Sequence, residues 1–165
     1  AYYGASIIHP KTLQPLKRKN IPFYVKSFLK PSEKGTKVSV TDENLQEETY
    51  ILKENQNLMH ISTKDFSFIA ENHISFIFNL LSKYKIKVSL MQNSAISLAL
   101  CLEDSFKNIE HLKDSLADQF NVEVRESVSL FTVRNTNLTN IEKFYKNKDI
   151  LLEQISRRTL QIVAK

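Results

Sequence analysis

Two glycines, Gly4 and Gly35, are all that the 165 residues contain. Loops that cradle phosphates need glycine where the backbone closes on the phosphate or turns left-handed. There is no GxGxxG and no Walker-type run, so a complete nucleotide site of those kinds is excluded. A single cysteine, Cys101, rules out an intrachain disulfide. It lies in an alternating apolar pattern, which predicts a buried small hydrophobe rather than a nucleophile. No apolar run approaches the roughly 20 residues that span a bilayer, and residues 1–20 lack a signal-peptide core. No membrane attachment is expected, and a disulfide-free chain fits the cytoplasm.

Acidic residues are scarce at the start. Residues 1–40 carry eight Lys/Arg against Glu33 alone, while the whole chain has a net charge of +5. The remainder is therefore slightly acidic and offers no basic surface to extend a nucleic-acid footprint. The basic segment reads as the solvated face of a larger domain. The first residue is Ala1, inside a patterned stretch, which suggests a fragment or processed product. His9, His60 and His111 show no ligand spacing with Cys or acids, so no metal site is predicted. No nucleophile–base pair stands out either.

The hydrophobic content of 42% and charged content of 25% are those of a globular protein. Pro10 suits the first turn of a short helix that Pro15 should end or kink. Ile21 to Phe28 reads as a strand, and Lys37 to Val40 as another. Thr41 to Glu48 is polar and reads as a linker. Tyr50 to Leu52 and Leu58 to Ser62 are short strand candidates. Asn72 is placed to cap a helix reaching about Tyr84, whose stripe is Ile74, Ile77, Phe78 and Leu81. Ile86, Val88 and Leu90 alternate with Lys87 and Ser89 as a half-buried strand. Met91-Gln92-Asn93-Ser94 should interrupt it before the strand Ile96 to Leu102.

Asp104 or Ser105 can cap a second helix with the stripe Phe106, Ile109, Leu112 and Leu116. Val122 and Val124 begin a further strand. Residues 57–126 thus run βαββαβ, the ferredoxin-like unit with two helices on one face of an antiparallel sheet. A shorter βαββ follows: Val128 to Arg134, Leu138 to Tyr145, Ile150 to Gln154 and Thr159 to Ala164. It lacks a last strand and would leave an open edge. The orphan strand at Thr49 to Lys53 is the candidate to cover it. An α+β architecture results, in which a second module is assembled from both sides of the first.

The opening forty residues resemble the end of the kinase domain of the aspartate kinase (aspartokinase) family. The motifs are Gly4-Ala5, His9-Pro10, Thr12-Leu13-Gln14-Pro15, Ile21-Pro22 and Gly35-Thr36. The rest is similar in order to that family's paired ACT domains. The resemblance implies residues 1–40 as the kinase remnant, 41–48 as linker and 57–126 as a first ACT domain. Residues 49–56 and 127–165 would form a second, reduced ACT domain. It also implies an allosteric, amino-acid-sensing role, with lysine or threonine as effector and a homodimer through the ACT domains. No cofactor is expected here. ATP and Mg belong to the parent, an ATP-dependent aspartate kinase, whose Lys-Phe-Gly-Gly motif is missing from this chain. Ser6 stands where many family members carry Lys.

The family's effector site maps onto Asn72, His73 and Ile74 at a helix start, and onto Val88, Ser89, Gln92, Asn93 and Ser94. A zwitterionic effector needs donors for its carboxylate, which a helix N-terminus supplies, and acceptors for its ammonium. Each residue also has a plainer role: Asn72 as a cap, His73 as a solvated helix residue, Gln92 and Asn93 as turn formers. Ser89 cannot supply the negative charge that lysine-sensitive relatives often place there. Two other readings compete. One is a structural dimerisation module without sensing. The other is an RNA-binding ferredoxin-like domain, which the strands KIKVSLM and ISLALCL oppose because they carry no aromatics to stack bases.

Overall fold

The computed structural model describes residue 8 and residues 10–39, 48–136 and 144–165. Gly4-Ala5, Ser6, His9, nearly all of the expected linker and most of the expected helix at 138–145 lie outside the described residues. The chain divides into two compact units, Ala1–Glu47 and Glu48–Lys165.

In the first unit, helix α1 (Pro10–Arg18) contains Pro15, which therefore does not end it. Its end is set by Asn20, at φ 51°. The Ile21 N–H donates to the Leu16 carbonyl at 2.9 Å, and the Asn20 N–H to that of Lys17 at 3.2 Å. That paired closure absorbs the carbonyls a helix end leaves open. Strands β1 (Phe23–Val25) and β2 (Thr36–Val38) pair antiparallel. Both are shorter than the sequence pattern suggested. Gly35, at φ +68°, sits where a Cβ would lie 2.4 Å from the Val25 carbonyl oxygen, so no other residue fits without movement.

The second unit is built on one six-stranded sheet. Its elements are β3 (Thr49–Thr63), α2 (Glu71–Lys83), β4 (Lys87–Asn93), β5 (Ser97–Glu103), α3 (Ile109–Ala117), β6 (Phe120–Arg134), β7 (Ile150–Ser156) and β8 (Thr159–Ala164). The spatial order is β4-β5-β3-β6-β8-β7. The two short strands expected at 50–52 and 58–62 are one 15-residue strand, β3, and β6 is equally long. The early half of β3 pairs with the late half of β6, Thr49↔Arg134 to Lys53↔Leu130. The late half of β3 pairs with the start of β6, Leu58↔Arg125 to Thr63↔Phe120. Each half of the sheet is therefore completed by the same two strands. Thr49 to Lys53 fills the fourth position of the second module, as edge protection demanded.

Helices α2 and α3 cover one face of the first half. There Met59, Ile61, Leu98, Leu100 and Leu102 pack with Ile77, Leu81, Leu112 and Leu116. On the other face Leu58, Leu90, Ala99 and Cys101 pack with Val128, Leu130, Leu152 and Val163. The sheet thus bends so that its second half covers the helix-free face of its first. Phe78 and Phe106, expected in the core stripes, are 39% and 61% exposed. Phe76 and Leu80 pack against the core beside Ile77 instead. The α2 C-terminus closes as α1 does. Lys85 takes φ 57°, the Ile86 N–H donates to the Leu81 carbonyl at 2.9 Å, and Ile86 and Leu81 meet in the core.

Asp104 does serve α3, from a distance. Its carboxylate accepts from the Phe106 N–H at 3.2 Å and the Ile109 N–H at 2.8 Å. The side chain of Asn108 donates to the Tyr84 carbonyl at 2.9 Å, tying the end of α2 to the start of α3. Among the described residues no helix is long and apolar enough to cross a membrane.

Candidate functional site

Helix α2 begins two residues earlier than a cap at Asn72 predicted. Ala70 is the N-cap, with extended backbone (φ −92°, ψ 171°), and Asn72 lies exposed within the first turn. The start is set upstream. Thr63 Oγ1 donates to the Ser67 carbonyl at 2.7 Å, and the Ser67 N–H donates to Asp65 at 3.1 Å. Hydrogen bonds from Ser67, side chain first and backbone second, hold the Asp65 carboxyl below its ordinary range. Ile69 is then buried, and the chain can only turn into the helix from Ala70.

Alanine has no side-chain acceptor, so no cap hydrogen bond forms at Ala70. The first free backbone donors of α2, including those of Asn72 and His73, keep the positive end of the helix dipole without a side-chain partner. His73 reaches back instead: its Nδ1 accepts from the Ala70 N–H at 3.3 Å. Its ring stands edge-on to Phe120, centroids 5.5 Å apart. Ile74 packs half-buried against the helix-side core.

The β4–β5 hairpin meets this helix start. The Ile69 N–H donates to the Ala95 carbonyl at 2.8 Å. Strand β4 continues through Met91, Gln92 and Asn93, so the expected interruption falls later, at Ser94 to Ile96. Gln92 and Asn93 pair in register with Ala99 and Leu98 and are exposed. Ser94 closes the turn: its Oγ accepts from the Ser97 N–H at 3.1 Å and shares a 2.7 Å hydrogen bond with Ser97 Oγ. Two of the mapped segments, 72–74 and 92–94, are thus brought to one end of the sheet.

Val88 and Ser89 behave differently. Val88 packs against the helix-side core. A bulge between Val88 and Leu90 interrupts the register with β5. The Ser89 hydroxyl donates to Gln56 Oε1 at 3.0 Å and accepts from Lys53 Nζ at 3.3 Å. Lys53 also lies 3.7 Å from Glu103, which stands 3.5 Å from Lys87. Ser89 is therefore bound into a polar cluster on β3. Gln56, only 4% exposed, was not singled out from the sequence. No sequence signal set it apart: it sits between Asn55 and Asn57 in the polar run 53–57.

No family model matches the chain. The lysine-sensitive aspartokinase 3 of Escherichia coli is 29% identical over 151 residues, covering 84% of this chain and 32% of that protein. Its solved structure in complex with lysine and aspartate (T-state) superposes with a TM-score of 0.80. That match has 25% identity and covers 99% of this chain and 40% of the other. The chain is similar to aspartokinases over most of its own length. It spans about a third of the length of the curated relatives it matches. Its α+β architecture matches the regulatory ACT-domain region of the aspartokinase family. The fold is shared as well with the ligand-free regulatory subunit of aspartate kinase from Thermus thermophilus. There the TM-score is 0.51 at 12% identity, over 70% of this chain and 85% of that one.

Proposed function

We propose that this aspartokinase regulatory region senses an amino-acid effector, lysine or threonine, at the start of α2. The observation that carries the reading is the uncapped α2 N-terminus held against the β4–β5 hairpin by the Ile69–Ala95 hydrogen bond. Backbone N–H groups of Asn72 and His73 would receive the carboxylate, with Ile74, whose N–H donates to the Ala70 carbonyl at 3.2 Å, flanking them. Gln92 and Asn93 side chains and hairpin carbonyls would receive the ammonium. Ser94 contributes by shaping the turn, Val88 by walling the site, and Ser89 through the polar cluster behind it. The E. coli relative is named as lysine-sensitive and was solved with lysine, which supports an amino acid as the effector class.

The parent would be an ATP-dependent aspartate kinase acting in the first step of lysine, threonine and methionine biosynthesis in the cytoplasm. The described residues offer no group of His, Cys, Asp and Glu able to hold a metal ion. We assign ATP and magnesium to the kinase portion of the parent. The effector would favour one arrangement of ACT domains paired in a homodimer, and the segment at 41–48 would pass that bias on. Calorimetric titration with lysine and with threonine tests this. Saturable heat with either supports it, and no heat from both at millimolar concentration overturns it.

A structural role without sensing is the second reading. It is favoured by the in-chain hydrogen bonds that His73, Ser89 and Ser94 already make.

A further inference from the structure

We infer that the helix-free face of the first half-sheet carries a separate site for a small zwitterion of the amino-acid class. The bend of the sheet brings the start of β7 over that face and leaves a cavity of about 550 Å³. This lies within the range of small-molecule sites. Alternation along the strands decides what it presents. Met59, Ile61, Val122 and Val124 point to the helices, so His60, Ser62, Glu123 and Arg125 point the other way, into the cavity. His60 and Glu123 are direct cross-strand partners, as are Leu58 and Arg125. Asp149 enters from the opposite wall, fixed by two backbone hydrogen bonds with Lys165 at 3.1 and 3.3 Å.

The charges there are of both signs, and none of them is used. Among the described residues, Glu123, Arg125 and Asp149 take part in no ion pair. Between them lies an apolar floor containing Leu58, 1% exposed. Glu123 and Arg125 are two residues apart on one face, which sets their backbones about 7 Å apart. A guanidinium and a carboxylate at that spacing complement a ligand carrying a carboxylate and an ammonium. Arg125 offers a paired, planar donor set to the carboxylate, and Glu123 and Asp149 offer acceptors to the ammonium. His60 and Ser62 add a ring nitrogen and a hydroxyl beside them. A simple anion would leave the two acids opposed, and a simple cation would leave Arg125 opposed. The site shares no residue with the α2 start and does not rest on the reading given to it.

The test is an amide-resolved NMR titration of the 165-residue chain with each of the twenty amino acids at millimolar concentration. At least one should shift the amides of His60, Glu123, Arg125 and Asp149. Arg125→Ala and Glu123→Gln, both at exposed positions that leave the core intact, should each weaken it about tenfold or more. Ala70→Asp, which acts at the α2 start, should leave it unchanged. The proposal fails if no amino acid perturbs the groove. It fails equally if affinity survives both groove variants, or if every ligand's shifts map to Asn72–Ile74 and vanish with Ala70→Asp.

Discussion

Asn55 on β3 and Ser127 on β6 both take left-handed backbone, at φ 53° and 57°, on either side of the Gln56↔Val128 pair. Between Lys53 and Gln56 the strand β3 advances one residue more than β6, and between Gln56 and Leu58 the excess is reversed. Two bulges on facing strands therefore cancel in register while both bend the sheet. That bend lets two half-sheets share β3 and β6 yet pack face to face.

The left-handed conformation costs an ordinary residue about 1–2 kcal/mol, less for Asn. A β-branched side chain tolerates it worst. Ser127→Val should lower unfolding stability by about 1–2 kcal/mol, and Ser127→Gly should be close to neutral or mildly stabilising. Urea denaturation of the two variants gives the comparison. Equal stability of the Val and Gly variants would mean the bulge relaxes without strain.

Ser89 joins the polar cluster that braces this bend. Removing its hydroxyl leaves the buried Gln56 Oε1 without its donor, so Ser89→Ala should cost about 1–2 kcal/mol. Ser89→Asp tests function. Lys53 Nζ lies 3.3 Å from the serine oxygen, so a carboxylate there would be neutralised by Lys53 before any ligand arrived. Lysine affinity measured by calorimetry should not rise with this substitution. A gain of about tenfold or more would show that position 89 faces the effector after all.

Cys101 is fully buried, and loss of solvation pushes its thiol up to about 12 from an ordinary 9.0, with Lys53 pulling slightly the other way. The folded thiol thus stays protonated where the unfolded one ionises. Its contribution is complete below pH 9.0 and is lost progressively as pH climbs toward about 12. Unfolding midpoints compared with those of Cys101→Ala across this range should show a slope in the parent that the variant lacks. The native thiol should also resist aromatic disulfide reagents until denaturant is added. Fast labelling of the folded chain would contradict its burial.

Periodicity disclosed the βαββαβ order, because one buried face imposes its spacing wherever residues such as Met59, Ile61, Leu98 and Leu100 meet two helices. Edge protection disclosed the role of Thr49 to Lys53. The continuity of β3 and β6 was hidden, because bulges at Asn55 and Ser127 break the alternation that marks a strand. Phe78 and Phe106 misled for another reason: apolar spacing gives the stripe but not its width, and on α2 Phe76 and Leu80 took the places beside Ile77. At the candidate site, Asn72 has the chemistry of a cap. The cap position was decided instead by Ile69, whose burial and bond to Ala95 no local pattern could reveal.

That same geometry yields a prediction in which stability and binding move in opposite directions. Ala70 already holds the extended backbone an N-cap residue adopts. Ala70→Asp would supply the missing acceptor to the N–H groups of the first turn and place a negative charge at the positive end of the helix dipole. Helix capping should raise stability by about 0.5–2 kcal/mol. The carboxylate would occupy the very donors an effector's carboxylate requires, and repel it, so binding of lysine or threonine at this end of the sheet should weaken about tenfold or more. A thermal melt and a calorimetric titration of one protein preparation read both quantities. If the melt rises and affinity holds, the α2 N-terminus is only a helix end.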